Sequence, residues 1–92
     1  MLIKLFEIER GLRGGTATIR EIYLNPSHII SVSDDRIANQ SLLSEASHLG
    51  LDSETAFSKI IIQDGSVPRS MTVVGTPSSI YKTIKSKQVL RG

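Results

Sequence analysis

The stretch from Phe57 to Lys87, FSKIIIQDGSVPRSMTVVGTPSSIYKTIKSK, decides the fold class. It opens with Ile60, Ile61 and Ile62, β-branched residues that suit a buried strand over Phe57–Gln63. Asp64-Gly65 marks a turn, and the loop runs to Pro68. Over Arg69–Val74, Met71 and Val73 face one way while Thr72 and Val74 face the other, which is strand alternation. The two strands predict a β-hairpin. Thr76-Pro77-Ser78-Ser79 follows. Threonine caps a helix well and proline is favoured at the first helical position, so a helix is predicted from Pro77 to about Lys87. Ile80 and Ile84, with Tyr81 beside them, form an apolar stripe that can pack on a sheet.

The N-terminal half repeats the hairpin theme. Leu2–Glu9 is a predicted strand with Leu2, Lys4, Phe6 and Ile8 on one face and Ile3 and Leu5 on the other. Apolar residues on both faces predict that its start is covered on both sides. Gly11, Gly14 and Gly15 make Arg10–Ala17 a loop. Thr18–Asn25 is the second strand. Asn25-Pro26-Ser27-His28 is a turn, because proline cannot donate to a ladder. Ile29–Ser33 is a third strand, closed by Asp34-Asp35. Between the halves, Leu42, Leu43, Ala46 and Leu49 recur at helical spacing, which predicts a helix over Asn39–Leu51. Ser41 is its expected N-cap, Glu45 sits in the first turn, and Gly50 suits its C-terminal end. The expectation is an α+β domain. It has an antiparallel-rich sheet of about five strands (two hairpins plus one strand), a middle helix and a C-terminal helix.

Ninety-two residues make one compact domain, 1–92. With no cysteine in the chain, disulfides and thiolate metal sites are excluded, which leaves oligomerisation as a common way to gain buried area. Absent cysteine also fits a reducing cytosol. The N-terminal MLIKLFEIER is charged too often for a signal peptide, and no apolar run approaches the ~18 residues of a membrane span. A cytoplasmic protein without membrane contact is therefore expected.

Charge is the main functional clue. The formal net charge is only +2, but the signs are segregated. From Gly65 to Gly92 the chain carries Arg69, Lys82, Lys85, Lys87 and Arg91 and no acid. A second basic cluster, Arg10, Arg13 and Arg20, surrounds the glycines of ERGLRGGTATIR. The acids Asp34, Asp35, Glu45, Asp52 and Glu54 gather in the middle of the chain with one base, Arg36. Segregated charge on a small domain makes a local field that can hold a polyanion. Those eight basic residues are the candidate RNA-binding set. The glycine loop is equally well read as an ordinary hairpin loop with solvated arginines. A mononucleotide site is disfavoured, since the loop leads into a strand rather than a helix. The lysines of the last helix could likewise be a solvated face that complements the helix dipole. Only Phe6, Tyr23, Phe57 and Tyr81 are aromatic, and most are expected in the core. Base stacking should then be scarce and contact mainly to phosphates.

Nothing announces a reaction. His28 and His48 lie in different elements without ligands at metal spacing. Adjacent Asp34 and Asp35 would point to opposite faces of a strand and cannot act as a catalytic pair there. No nucleophile elbow is present. Neither catalysis nor a cofactor is expected.

Two resemblances add to this. YLNPSHIISVSDD, Tyr23 to Asp35, and TVVGTPSSIYKTI, Thr72 to Ile84, are similar to the small flagellar FlbD-like family, whose pattern is strand, Leu-Asn-Pro, two further strands and a short terminal helix. The segment between them, with its predicted helix, departs from that pattern. In length, charge and absence of cysteine, the whole chain resembles small accessory proteins of T4-like bacteriophages, above all the RNA-binding TifA type that inhibits ToxN-like endoribonuclease toxins. That second resemblance implies a homodimer in the host cytoplasm that binds RNA, favoured over DNA, and blocks a host toxin. The alternatives are a protein-interaction module whose basic face meets an acidic host or phage protein, and a structural subunit whose edge strands pair between chains.

Overall fold

A computed structural model describes residues 1–9, 17–42, 50–51, 54–65 and 67–91, with backbone alone at 41 and 87–91. Five strands run in the order predicted: β1 Ile3–Glu9, β2 Thr18–Leu24, β3 Ile29–Asp34, β4 Phe57–Ile62 and β5 Arg69–Val74. Helix α1, Arg36–Ser41, follows β3, and helix α2, Pro77–Arg91, closes the chain. The strands form one sheet in the order β2-β1-β5-β4-β3, with every neighbouring pair antiparallel. The expected hairpins β1–β2 and β4–β5 are both present. They are joined by pairing of β1 with β5, Glu7 opposite Val73 and Ile8 opposite Thr72.

The sheet is strongly curled. Its two edges, β2 and β3, are linked only by Asn25 and the 3-10 turn Pro26–His28. Five chain steps from Leu24 to Ile29 reach at most about 18 Å, whereas four strand spacings in a flat sheet already take about 19 Å. The register adds a long axial offset. Leu24 pairs with Ile3 at the start of β1, while Ile29 pairs with Ile62, whose partner Arg69 lies beyond the other end of β1. Only a sheet that brings its edges round toward each other can satisfy this link. Asn25 fits the bend because its side chain accepts from the Ser27 amide and hydroxyl.

Curling divides the apolar residues between two clusters. Ile3, Leu5, Ile60, Ile62 and Val73 line the concave side and are closed over by Ile80 of α2. Ile22, Leu24, Ile29 and Val32, from both edge strands, pack around that cluster. On the convex side, Ile8 and Phe57 pack under Ala38 and Leu42 at α1. Both faces of the sheet therefore carry a helix, each laid over its own cluster. The start of β1 differs from expectation: Leu2 and Phe6 are exposed on the convex side, where cover reaches Ile8.

The middle helix also differs. It begins at Arg36, not Asn39, and Ser41 is its last residue rather than its cap. Asp35 is the N-cap: Oδ1 accepts the Ala38 amide at 3.0 Å, and Oδ2 accepts the Thr72 hydroxyl at 2.6 Å. One carboxylate thus starts α1 and fastens it to β5. Asn39 fastens the same helix to β4, accepting the Phe57 amide at 2.7 Å and donating to the Phe57 carbonyl at 3.3 Å. The predicted continuation through Leu43, Glu45, Ala46 and Leu49 lies outside the described residues. Gly50 has a positive φ, 76°.

Helix α2 starts where the Thr-Pro signal placed it. The Thr76 hydroxyl accepts the Ser79 amide at 3.1 Å. It ends later than predicted, at Arg91. Gly75 makes the preceding turn at φ 123°, a conformation that L side chains rarely adopt.

Candidate nucleic-acid interface

The eight basic candidates do not form one equivalent set. Arg10 and Arg13 lie outside the described residues. Arg20, on edge strand β2, is committed to an ion cluster. Its Nη2 donates to Glu7 Oε1 at 2.6 Å and lies 2.9 Å from Glu9 Oε1. The register explains this: Arg20 stands opposite Glu7 and two residues from the partner of Glu9. The bond to Glu7, followed by the charge of Glu9, raises the guanidinium pKa above its ordinary value. Two carboxylates on one arginine leave this patch negative overall. Arg69 keeps an exposed guanidinium with a loose contact to Asp64, 3.7 Å. Lys87 and Arg91 lie on the last turns of α2, and their side chains are outside the described residues.

Lys82 and Lys85 are open cations on the last helix. Both are exposed on α2, and among the described residues neither has an ion pair. Helical geometry accounts for their position. Ile80 and Ile84 turn toward the sheet, so residues 78, 81, 82 and 85, at i, i+3, i+4 and i+7, share an outward stripe beside them. Tyr81 belongs to that stripe rather than to the core, and the Lys85 ammonium stands 5.6 Å from its ring centroid. The register of β2 and β5 sends Arg20 and Arg69 to the same side of the sheet as α2.

Aromatic residues depart most from expectation. Phe57 alone is buried, while Phe6, Tyr23 and Tyr81 are 39%, 57% and 57% exposed. Phe6 and Tyr23 lie diagonally on the convex face of β1 and β2, with Lys4 5.7 Å from the Phe6 ring centroid. This pair carries an acid in its midst. Glu21 stands opposite Phe6 and accepts the Tyr23 hydroxyl, a bond that raises the Tyr23 pKa. Lys4 and Lys59, both exposed, are cations that sequence reasoning passed over. The alternation of Lys4 with Phe6, and the i, i+4 spacing of Tyr81 and Lys85, were the available signals.

Two of the clefts formed by the described residues bear on this surface. One, about 410 Å³, lies where β1 and β5 diverge, and it mixes Glu7 and Glu9 with Lys59 and the hydroxyls of Ser70 and Thr72. The other, about 560 Å³, runs between edge strand β3 and α2, with Pro26, Ile30 and Val32 on one wall and Pro77 and Tyr81 on the other. Ile30, at 56% exposed, makes its floor unusually apolar for an open surface. Among the described residues, no group of His, Cys, Asp and Glu could hold a metal ion. No described helix is long and apolar enough to cross a membrane.

Compared with models of protein families, with curated proteins and with solved structures, the chain gives no match.

Proposed function

We propose that this is a non-enzymatic RNA-binding protein that grips the phosphate backbone through the outward face of α2. One observation carries the proposal: Lys82 and Lys85 project side by side from a helix whose whole segment lacks acids. Cations so placed are free to replace counterions on a polyanion, and each such contact makes affinity depend on salt. Arg69 extends the face, whereas Arg20, held by Glu7 and Glu9, is a structural ion pair. The preference for RNA over DNA, the homodimer and the role as a phage inhibitor of a host endoribonuclease toxin rest on the resemblance to phage accessory proteins.

The second reading is a protein-interaction module. The apolar groove beside β3 favours it, since an edge strand next to an apolar trough suits an added strand from a partner.

Electrophoretic mobility shift at two salt concentrations separates them. The RNA reading expects binding that weakens steeply with salt and differs little between unrelated sequences. The double substitution Lys82→Glu and Lys85→Glu should abolish most of it. Unchanged affinity in that variant sinks this face as the site, and absence of any shift in low salt turns the search to protein partners.

A further inference from the structure

Phosphate contacts alone do not use the groove beside α2, whose wall includes the ring that Lys85 stands against. Ser78 and Tyr81 line it, Lys85 stands against Tyr81, and Lys82 follows Ser78 by one helical turn. Its volume, about 560 Å³, falls in the ~300–1,000 Å³ range of small-ligand pockets. The walls are mainly apolar, with Pro26, Ile30, Pro77 and an exposed tyrosine ring among them. Ser31 and Ser78 supply hydroxyls along them. A nucleobase has the matching chemistry: two apolar faces, a polar edge and an anionic linkage on either side.

We propose that the groove between β3 and α2 takes an unpaired base of single-stranded RNA, stacked on Tyr81, with the flanking phosphates on Lys82 and Lys85. This rests on the RNA-binding function proposed above and adds the strandedness of the substrate and the place of its base. A paired base cannot enter, because its faces are occupied by neighbours in the stack. Charge decides between this groove and the other exposed aromatics. At Phe6 and Tyr23 the Glu21 carboxylate stands opposite Phe6 and holds the Tyr23 hydroxyl, where it repels a phosphate. At the groove, α2 contributes cations only, and Asp34 lies at the opposite end of β3 from Ile29 and Ile30.

The test is fluorescence anisotropy with a labelled oligouridylate and an RNA duplex of equal length. The proteins are the wild type, Tyr81→Ala, Tyr81→Phe and the double variant Lys82→Glu/Lys85→Glu, with circular dichroism to confirm that each is folded. Tyr81→Ala should lose about 5- to 100-fold in affinity for the single strand, the scale of one base–aromatic stack, and nothing for the duplex. Tyr81→Phe should bind like the wild type. The double variant should weaken on both ligands and show a shallower salt dependence. If Tyr81→Ala binds the single strand normally, or loses equally on both ligands, base insertion is wrong. In that case the RNA-binding reading still stands, provided the double variant is impaired. A wild type that binds neither RNA overturns both.

Discussion

Replacing Asp35 with alanine removes two buried contacts at one stroke. The side chain is 8% exposed, accepts the Ala38 amide at 3.0 Å and accepts the Thr72 hydroxyl at 2.6 Å. Loss of a helix N-cap costs about 1 kcal/mol, and loss of a hydrogen bond to a charged acceptor about 1.5–3 kcal/mol. Helix α1 spans six residues, too short to persist on its own propensity. The expected destabilisation is therefore about 2.5–4 kcal/mol. At ~4–8 °C per kcal/mol for a domain of this size, the melting temperature should fall by about 10–30 °C. Urea unfolding followed by circular dichroism measures it, and a loss below about 0.5 kcal/mol, the scatter of ordinary surface substitutions, would refute the assignment.

The same carboxylate gives the prediction a pH signature. Burial pushes the Asp35 pKa up, but the Thr72 hydroxyl, the Ala38 amide and the charge of Lys59 outweigh it, leaving the group below its ordinary 3.8. A group more acidic in the folded state binds fewer protons there than in the unfolded chain. Its stabilisation is then complete above the ordinary carboxylate value and lost as pH falls through the lowered one. Asp35→Asn keeps the shape but cannot ionise. The stability gap between it and the wild type should be widest at neutral pH and should close across that acid window. A gap that stays constant into strong acid would show that the charge of Asp35 contributes nothing.

Three further outcomes follow from the packing. Ile60→Ala empties a fully buried site on the concave side and should cost about 2–5 kcal/mol in urea unfolding; a smaller loss would mean that this cluster is not closely packed. Gly75→Ala places a Cβ 3.1 Å from Ser79 Oγ on a backbone at φ 123°, so thermal melting should report a loss of about 1–3 kcal/mol, and an unaffected variant would contradict that turn. Arg20→Ala should leave the urea midpoint close to the wild-type value, because an exposed ion pair contributes little to stability. It should also leave RNA affinity near the wild-type value, whereas a loss matching that of Lys82→Glu would put Arg20 in the interface.

The strands and the last helix were legible because their signals are local. Alternation at Arg69–Val74 and the Thr-Pro start of α2 depend on neighbours in sequence, and the structure places both there. The start of the middle helix was not. Within α1 only Ala38 turns a buried apolar side chain inward, and Ile37 is exposed, so no periodic stripe announces it. The leucines further along drew the expected helix downstream, and Asp34-Asp35 reads as a turn until Thr72 is known to stand beside it. Thr72 lies 37 residues away in the chain, a separation that no local pattern encodes. The β1–β5 pairing is hidden for the same reason, though the short Leu24–Ile29 link implies a curl once the strand order is known.

Whether an aromatic side chain is core or surface depends on where the helices lie, and that decides the character of the interface. Tyr81 follows Ile80 by a 100° turn of the helix. Seating Ile80 and Ile84 on the concave cluster therefore forces Tyr81 to the flank of α2, against β3. The same rotation carries Lys85 close to that flank and Lys82 farther round, to the side opposite the core. The core residues of α2 thus fix the geometry of its cations: the helix that closes the fold also sets the spacing between ring and charges. A basic tail attached without that packing would hold the same charge but neither the groove nor the stacking face. If the proposed base pocket is real, affinity for single strands, rather than for polyanions in general, is the property that would report on the folded site.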